Sequence, residues 1–323
     1  SESTGHGIFH FSDRYSVFDW GAMPERIEKK GQVLAMMGAY TFERLEETGI
    51  ETHYIGMEEN GKIKKVNELK KPSSRMHIKL VNVLEPEFID GSYDYSVFSN
   101  PPVNNFLIPL EVVFRNRIPI GSSARRRYSP QDLGLDMGEW PDKAISLDKP
   151  IIESSTKLEE QDRYIDDEEA QRIAGVDLSE IYRKAGEANR IISERAEVSG
   201  MSHDDGKVEF VNIDGDIVIG DVAGTFDEDR FTFKSMQVSK EVLRQAYKKK
   251  QPQWVEEVKN GKEKAKREGI EHWKELVDIK PEKLGIEDLV SEMYQAGANR
   301  YIVRKFFEVP NLEEVMNDIQ NML

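Results

Sequence analysis

Two short segments of this chain carry residue types that could do chemistry. In the first, residues 111–127, five arginines surround a Gly-Ser-Ser turn: Arg115, Arg117, Arg125, Arg126 and Arg127. Because the whole chain has a formal net charge of -15, a local cluster of cations indicates an anionic ligand. The planar guanidinium group can donate two parallel hydrogen bonds to a phosphate or a carboxylate.

The second segment, residues 207–230, places two carboxylates where a hard cation could bind. Glu209 and Asp221 belong to two apparent strands that are joined by the turn Asp214-Gly215-Asp216. Carboxylate oxygens are ligands that Mg²⁺ takes in proteins. Arginines for a phosphate together with carboxylates for magnesium indicate an enzyme that uses a nucleotide.

The arginine segment also has a purely structural interpretation. Alternation along a strand would put Arg115 and Arg117 on one face, where they could bind phosphate or equally form surface salt bridges. The turn Gly121-Ser122-Ser123 favours phosphate, because backbone N–H groups and hydroxyls at a turn can form an anion nest.

The acidic residues of the second segment have alternatives as well. Glu209 could form an exposed cross-strand pair with Lys207, which would contribute little to stability. The acidic run 227–229, which precedes Arg230, is interpreted as a solvated turn.

Composition bounds the class of protein. The chain has 323 residues, enough for two lobes, and no cysteine, which excludes disulfides, thiolate metal sites and cysteine nucleophiles. Its acidic balance argues against a nucleic-acid partner. It contains neither an apolar run long enough for a transmembrane helix nor a signal-peptide pattern, so we expect a cytoplasmic protein with no membrane partner.

Periodicity predicts an α+β fold. The chain is rich in strands at first, mixed in the middle and helical from about residue 239. Helices are predicted over 30–48 and 166–197, the latter divided near Gly175 with Asp177 as a cap, and a hairpin over 207–219. We predict an antiparallel-sheet N-terminal lobe, 1–108, and a mixed C-terminal lobe, 109–323, with a ligand cleft between them.

Five segments, in this order, resemble the SAICAR synthetase (phosphoribosylaminoimidazole-succinocarboxamide synthase) family of purine biosynthesis. The matching segments are SDRYSVFD (12–19), KG (30–31), VVFRNRIPIGSS (112–123), KVEF (207–210) and GDVAGTFDEDRF (220–231). The resemblance runs from Phe11 to about Pro310. It implies a two-lobed SAICAR synthetase-like fold with ATP bound in the cleft.

Three departures from the family pattern stand out. The family begins with a glycine-rich strand pair carrying GKxxxxY, which covers the ATP phosphates, and this chain starts after that point. The family's HDExI segment corresponds to QDRYI at 161–165, where Asp162 carries over. The helical segment 251–285 resembles an insertion relative to short bacterial members.

The resemblance implies a ligase. ATP, carboxyaminoimidazole ribonucleotide (CAIR) and L-aspartate would give the succinocarboxamide SAICAR, ADP and phosphate. It further implies that Glu209 and Asp221 hold Mg²⁺ and contact the nucleotide with Lys30, and that Lys207 and Asp221 act beside the reacting anions. The residues implied in substrate binding are Arg115, Arg117, Ser122, Ser123, Arg230, Asp162 and Asp19. A homodimer is a further expectation.

Two other functions stay open at this stage. A small-molecule kinase could use the same two-lobed site, although the arginine segment favours a second anionic substrate. A non-catalytic nucleotide-binding protein would explain the missing glycine-rich loop.

Overall fold

The structure, a computed structural model that describes residues 4–160, 162–270 and 272–322, confirms the α+β class. Gln161, in the QDRYI segment, lies outside the described residues. The strands are β1 (Gly5–His10), β2 (Tyr54–Glu59), β3 (Lys62–Lys64), β4 (Arg75–Leu80), β5 (Glu87–Ile89), β6 (Ser92–Asp94), β7 (Phe106–Ile118), β8 (Ile145–Thr156), β9 (Tyr164–Ile165), β10 (Ser202–Ile213), β11 (Asp216–Gly220), β12 (Arg230–Phe233) and β13 (Met236–Gln237).

The described helices range in length from four residues in α2 and α3 to 21 residues in α5. They are α1 (Lys30–Glu47), α2 (Ser96–Ser99), α3 (Ala124–Arg127), α4 (Asp167–Ala174), α5 (Leu178–Val198), α6 (Glu241–Lys250), α7 (Pro252–Glu268), α8 (Glu287–Ile302) and α9 (Leu312–Met322). Short 3-10 turns cover Val66–Glu68, Gln131–Leu133 and Trp273–Leu276. No helix among the described residues has the length and apolar character needed to cross a membrane.

Local sequence signals account for the helix boundaries that were predicted. Gly175 adopts a left-handed conformation (φ 68°) and ends α4, a position that glycine occupies without steric cost. Asp177 then caps α5, because its carboxylate accepts a hydrogen bond from the Ser179 N–H. The predicted division of 166–197 near Gly175 is therefore confirmed, as are α1 and the β10–β11 hairpin.

The chain forms two compact units whose segments interleave along the sequence. The first unit comprises residues 4–7, Thr41–Tyr54 and Ile78–Gly224, and the second comprises Ile8–Tyr40, Ile55–His77 and 225–322. The lobe boundary between residues 108 and 109 and the ATP cleft stay predictions.

An antiparallel sheet organises the first unit. Strand β7 lies at its centre and pairs with β8 on one side and β10 on the other, while β9 extends from β8 and β11 from β10. Helix α5 packs against β7, β8 and β10. Val112, Phe114 and Val208 are fully buried in the core that this packing creates. Helix α5 thus covers one face of the sheet.

The second unit contains most of a smaller sheet and the C-terminal helices. The smaller sheet has the strand order β1-β4-β2-β3. Helix α8 is the core element, with Val290, Met293 and Tyr294 fully buried. The predicted insertion, 251–285, contains α7, and its Trp254 packs edge-to-face on Trp20 with ring centroids 5.7 Å apart.

Candidate active site

One face of the sheet in the first unit carries a continuous set of charged side chains. Glu209 lies opposite Glu111, while Lys207 lies opposite Val113, which in turn lies opposite Glu153. Side chains at every second position of a strand point to the same face. The set, which we call the charged face, consists of Glu111, Arg115, Glu153, Asp205, Lys207 and Glu209.

Glu209 and Asp221, the predicted metal ligands, lie at one end of the β10–β11 hairpin. Glu209 pairs with Gly220, so Asp221 directly follows its partner residue. The Glu209 side chain is only 3% exposed. Burial, and then the negative charge of Asp221, raise the pKa of Glu209 from 4.5 to about 7. The two carboxylates therefore repel each other in a site that disfavours charge.

Two lysines place positive charge beside Glu209. The Nζ atoms of Lys157 and Lys207 lie 2.6 and 3.2 Å from its carboxylate oxygen Oε1. Lys207 also donates to Glu111. Burial alone would lower the pKa of Lys157, but the charge of Glu209 raises it above its usual value, so Lys157 is an ammonium ion. Because Glu209 is buried, the alternative of an exposed Lys207–Glu209 pair is wrong.

The carboxylate pair fits a magnesium ion that is held partly by protein and partly by substrate. Mg²⁺ commonly takes one or two carboxylates and completes its octahedron with phosphate oxygens and water. In the part of the chain that the structure describes, no group of three or more His, Cys, Asp or Glu side chains could hold a metal by itself. A divalent cation between Glu209 and Asp221 would relieve their repulsion.

Arg115, predicted to bind the ribonucleotide, is buried within the charged face. Its Nε donates to Glu153 at 2.6 Å, and its two terminal nitrogens donate to Asp205 at 3.4 Å and to the Tyr164 hydroxyl at 2.8 Å. Burial alone would raise the pKa of Glu153, but Arg115 and Arg127 lower it below its usual value. Arg115 therefore connects its own strand β7 to both β8 and β10.

Arg117 does not follow the simple alternation expected from the sequence. The pairing of β7 with β8 shifts register between Arg115 and Arg117, which interrupts the two-residue period. The Arg117 guanidinium donates to Asp204 at 2.8 Å, whereas Arg115 contacts the next residue, Asp205. The two guanidinium groups are thus held by different carboxylates.

The Gly-Ser-Ser turn is folded back on itself. Ser122 is buried; its N–H donates to the Pro119 carbonyl at 3.0 Å, and its hydroxyl accepts from the Ala124 N–H at 3.3 Å. The Ser123 hydroxyl accepts from Arg127 at 3.0 Å. Since the Ser122 N–H is already bonded to the Pro119 carbonyl, this group is not available to an anion at the turn.

Arg127 contacts the charged face from helix α3. Its guanidinium pairs with Glu153 and stacks 3.6 Å above the centroid of the Tyr164 ring. Arg125 instead donates to the backbone carbonyls of Pro141 and Ile118, and Arg126 is exposed. The three consecutive arginines therefore have three different environments.

Lys30, predicted to contact the nucleotide, is buried in the second unit. Its Nζ lies 2.7 Å from Asp227, which also accepts from the Tyr294 hydroxyl at 3.0 Å. Burial alone would raise the pKa of Asp227, but Lys30 lowers it below its usual value. Asp229 is 2% exposed and accepts from the Thr225 N–H. The interpretation of 227–229 as a solvated turn is therefore wrong.

The remaining predicted site residues have exposed or half-buried positions. Asp19 has an 85% exposed side chain, which pairs with Lys262 in the second unit. Asp162 is exposed in the first unit, between β8 and β9. Arg230 begins β12 in the second unit and is half-buried. Within the first unit, the structure brings Lys207, Glu209 and Asp221 together.

Sequence reasoning missed four members of this site: Glu111, Glu153, Lys157 and Tyr164. No strand was predicted over Glu153, but the residue offered a signal: it directly follows the apolar pair Ile151-Ile152, and an acidic residue buried in such a segment needs a cationic partner. Lys157 gave none, since it follows the end of β8 and reaches Glu209 only across the folded sheet.

Comparison with known proteins assigns the chain to a family. Residues 1–261 match the family described as SAICAR synthetase. A protein of Archaeoglobus fulgidus, provisionally named phosphoribosylaminoimidazole-succinocarboxamide synthase, is 40% identical over 100% of this chain and 96% of its own length.

Solved structures agree in fold. A SAICAR synthetase in complex with ADP superposes with a TM-score of 0.53 at 26% identity, covering 74% of this chain and 83% of the other. The Saccharomyces cerevisiae SAICAR synthase, complexed with SAICAR, gives a TM-score of 0.60 over 93% of this chain and 90% of its own at 21% identity, a likeness that concerns the fold alone. The chain belongs to the SAICAR synthetase family.

Proposed function

We propose that this chain joins L-aspartate to the carboxylate of CAIR with consumption of ATP, giving SAICAR, ADP and phosphate. Family membership over residues 1–261 and 40% identity along the whole chain support this reaction. In the structure, the observation that carries it is the buried Glu209 carboxylate, set beside Asp221 and two lysine ammonium groups. The relatives reported above give no support to a kinase or to a non-catalytic nucleotide-binding protein.

The chemistry requires activation of a carboxylate, which is a poor electrophile. Transfer of the γ-phosphoryl group of ATP to a carboxylate oxygen of CAIR forms an acyl phosphate and releases ADP. The aspartate amine then attacks the acyl carbon and loses a proton, while the C–O bond breaks and phosphate leaves. Most of the catalysis is positioning and neutralisation of charge.

Charge neutralisation is the role of the residues around Glu209. Glu209 and Asp221 would hold Mg²⁺, which supplies positive charge to the phosphate oxygens when it is bound. Lys207, which the resemblance implies in catalysis, donates to Glu111 and Glu209 and is thereby oriented on the charged face. The ammonium of Lys157 adds a second fixed cation at the same carboxylate.

The remaining residues are assigned to ligands. The residues assigned to the ribonucleotide are Arg115, Arg117, Ser122, Ser123 and Arg230, with Asp19 and Asp162 also assigned to the substrates. Lys30 is assigned to ATP. We further propose a cytoplasmic reaction, because its phosphorylated substrates do not cross membranes unaided, and a homodimer as the oligomeric state.

An isotope experiment tests the reaction. CAIR labelled with ¹⁸O in both carboxylate oxygens is incubated with ATP, Mg²⁺ and L-aspartate, and the released phosphate is analysed by mass spectrometry. One ¹⁸O atom in the phosphate, and only when aspartate is present, is the expected result. Phosphate without the label rules out carboxylate activation, and ADP release without aspartate favours a kinase. ATP binding with no ADP formation at any ATP concentration would indicate a non-catalytic protein.

A further inference from the structure

His53 lies beside the metal-ligand pair although no motif of the sequence pointed to it. It is buried, immediately precedes β2, and belongs to the same unit as Asp221. Its ring nitrogen Nε2 lies 3.0 Å from the backbone carbonyl oxygen of Asp221. Because a carbonyl oxygen can only accept, Nε2 carries the hydrogen and donates.

The backbone of His53 is fixed against the strand that leads to Asp221. The His53 N–H donates to the Ile219 carbonyl at 2.9 Å, and the Ile219 N–H donates to the Glu51 carbonyl at 3.1 Å. Thr52 and Ile219 form an isolated parallel β-bridge. On the other side, the Lys79 N–H donates to the His53 carbonyl at 2.7 Å. The His53 backbone is therefore bonded on both sides, and its partner Ile219 lies two residues before Asp221.

The ring orientation of His53 is fixed as well. The Phe42 ring, from helix α1, packs edge-to-face on the imidazole with ring centroids 5.6 Å apart and planes at 78°. Phe42 is fully buried. An imidazole that is packed this way keeps Nε2 directed at the Asp221 carbonyl.

Asp221 needs such support because its backbone is strained. Its φ of 50° lies in the left-handed region, which residues other than glycine rarely adopt. Strained conformations of this kind persist only where the surroundings hold them. If the Asp221 peptide relaxed, its side chain would turn away from Glu209.

We propose that His53 is a positioning residue for the ligase: its Nε2–H holds the Asp221 peptide in the left-handed conformation and so keeps the Asp221 carboxylate beside Glu209. This inference rests on the proposed function, in which those two carboxylates hold the metal. In this role His53 acts through the Asp221 peptide and not through contact with the metal or the substrate.

The test compares a variant that keeps an N–H donor with one that loses it. His53→Gln retains an N–H near the position of Nε2, whereas His53→Leu removes it. Binding of Mn²⁺ alone, measured by electron paramagnetic resonance of the free ion, is the readout besides activity. We expect His53→Leu to weaken Mn²⁺ binding about five-fold or more, the effect of losing roughly 1 kcal/mol of hydrogen bonding, and His53→Gln to recover most of it.

His77→Leu is the matched control, because His77, on β4, is also buried and forms a hydrogen bond with Glu58 on β2, in the second unit. It should lower the melting temperature without changing Mn²⁺ affinity. Wild-type affinity in His53→Leu, or equal weakening in His53→Leu and His53→Gln, would overturn the proposal. Asp221→Asn tests the metal assignment separately from the positioning role of His53. If this variant binds Mn²⁺ as tightly as wild type, the assignment of Asp221 as a metal ligand is wrong.

A measurement on the unmodified chain covers the case in which His53→Leu does not fold. The ¹⁵N shifts of labelled histidines report which ring nitrogen carries hydrogen, and the His53 signals are identified by their absence in His53→Gln. Protonated Nε2 at neutral pH is expected. A neutral ring protonated at Nδ1 instead would contradict the hydrogen bond and overturn the inference.

Discussion

The Nζ atom of Lys157 lies 2.6 Å from the Glu209 carboxylate. This contact links the connection after β8 to the centre of β10. Lys157 belongs to no recognised motif, yet its ammonium group contacts Glu209, the predicted metal ligand. The contact also explains how a carboxylate can be buried between strands, because a buried charge requires a partner of opposite sign.

Replacing either carboxylate by its amide should abolish most of the activity. We expect Glu209→Gln and Asp221→Asn each to lower kcat by about 100-fold or more at limiting Mg²⁺. Each substitution removes a negatively charged ligand that would hold the cation beside the phosphate groups. Steady-state kinetics over a Mg²⁺ titration is the measurement. Glu313→Gln, at an exposed ion pair with Lys234, is the control and should leave kcat unchanged. Full activity in both active-site variants would refute the metal assignment.

Stability in the absence of metal should fall as pH rises, owing to Glu209. Its folded pKa of about 7 lies above the ordinary 4.5, so the folded state binds more protons between these values. The free energy of unfolding contributed by this group therefore decreases from about pH 4.5 to about pH 7. Urea denaturation in EDTA at pH 5 and at pH 8 measures how far the free energy of unfolding falls between these pH values. This fall should be about 1–3 kcal/mol larger in wild type than in Glu209→Gln. Equal decreases would show that Glu209 is not perturbed.

Arg115 should matter for both folding and substrate. Arg115→Lys keeps the charge but loses the fork that reaches Glu153, Asp205 and Tyr164, so the free energy of unfolding should fall by about 1–3 kcal/mol. Arg126→Lys, at an exposed arginine, should change it by less than about 0.5 kcal/mol. Chemical denaturation distinguishes the two variants.

The kinetic constants of the same substitution test its assignment to the ribonucleotide. In folded Arg115→Lys, and in Ser122→Ala, KM for CAIR should rise about ten-fold while KM for ATP changes little. A larger rise for ATP would move Arg115 to the nucleotide site.

The buried Lys30–Asp227 pair in the second unit should show strong coupling. Asp227→Asn leaves the Lys30 ammonium buried without its counter-charge and should cost about 3–5 kcal/mol of unfolding free energy. The double variant Lys30→Met with Asp227→Asn should lose less than the single Asp227 variant, which a double-mutant cycle by urea denaturation measures. If the losses simply add, the pair is not coupled. A rise in KM for ATP in Lys30→Met, with KM for aspartate unchanged, would support its assignment to the nucleotide.

Residue order by itself determined the family, the α+β class and the local elements whose signals are local. The division at Gly175, the cap at Asp177 and the β10–β11 hairpin all rest on contacts within a few residues, which a pattern along the chain can encode. The closeness of Glu209 and Asp221 could also be inferred, because a tight hairpin brings its strand ends together.

Tertiary structure alone decided which charges meet. The register shift between Arg115 and Arg117 separated two arginines that simple alternation would pair. Lys157 with Glu209, Arg115 with Glu153, Lys30 with Asp227 and His53 with Asp221 join residues 38 or more positions apart. Such pairs follow from strand register and helix packing, which depend on the burial of the whole core. Residue types and spacing therefore identified the chemistry, and the packing of the core selected the partners that hold it in place.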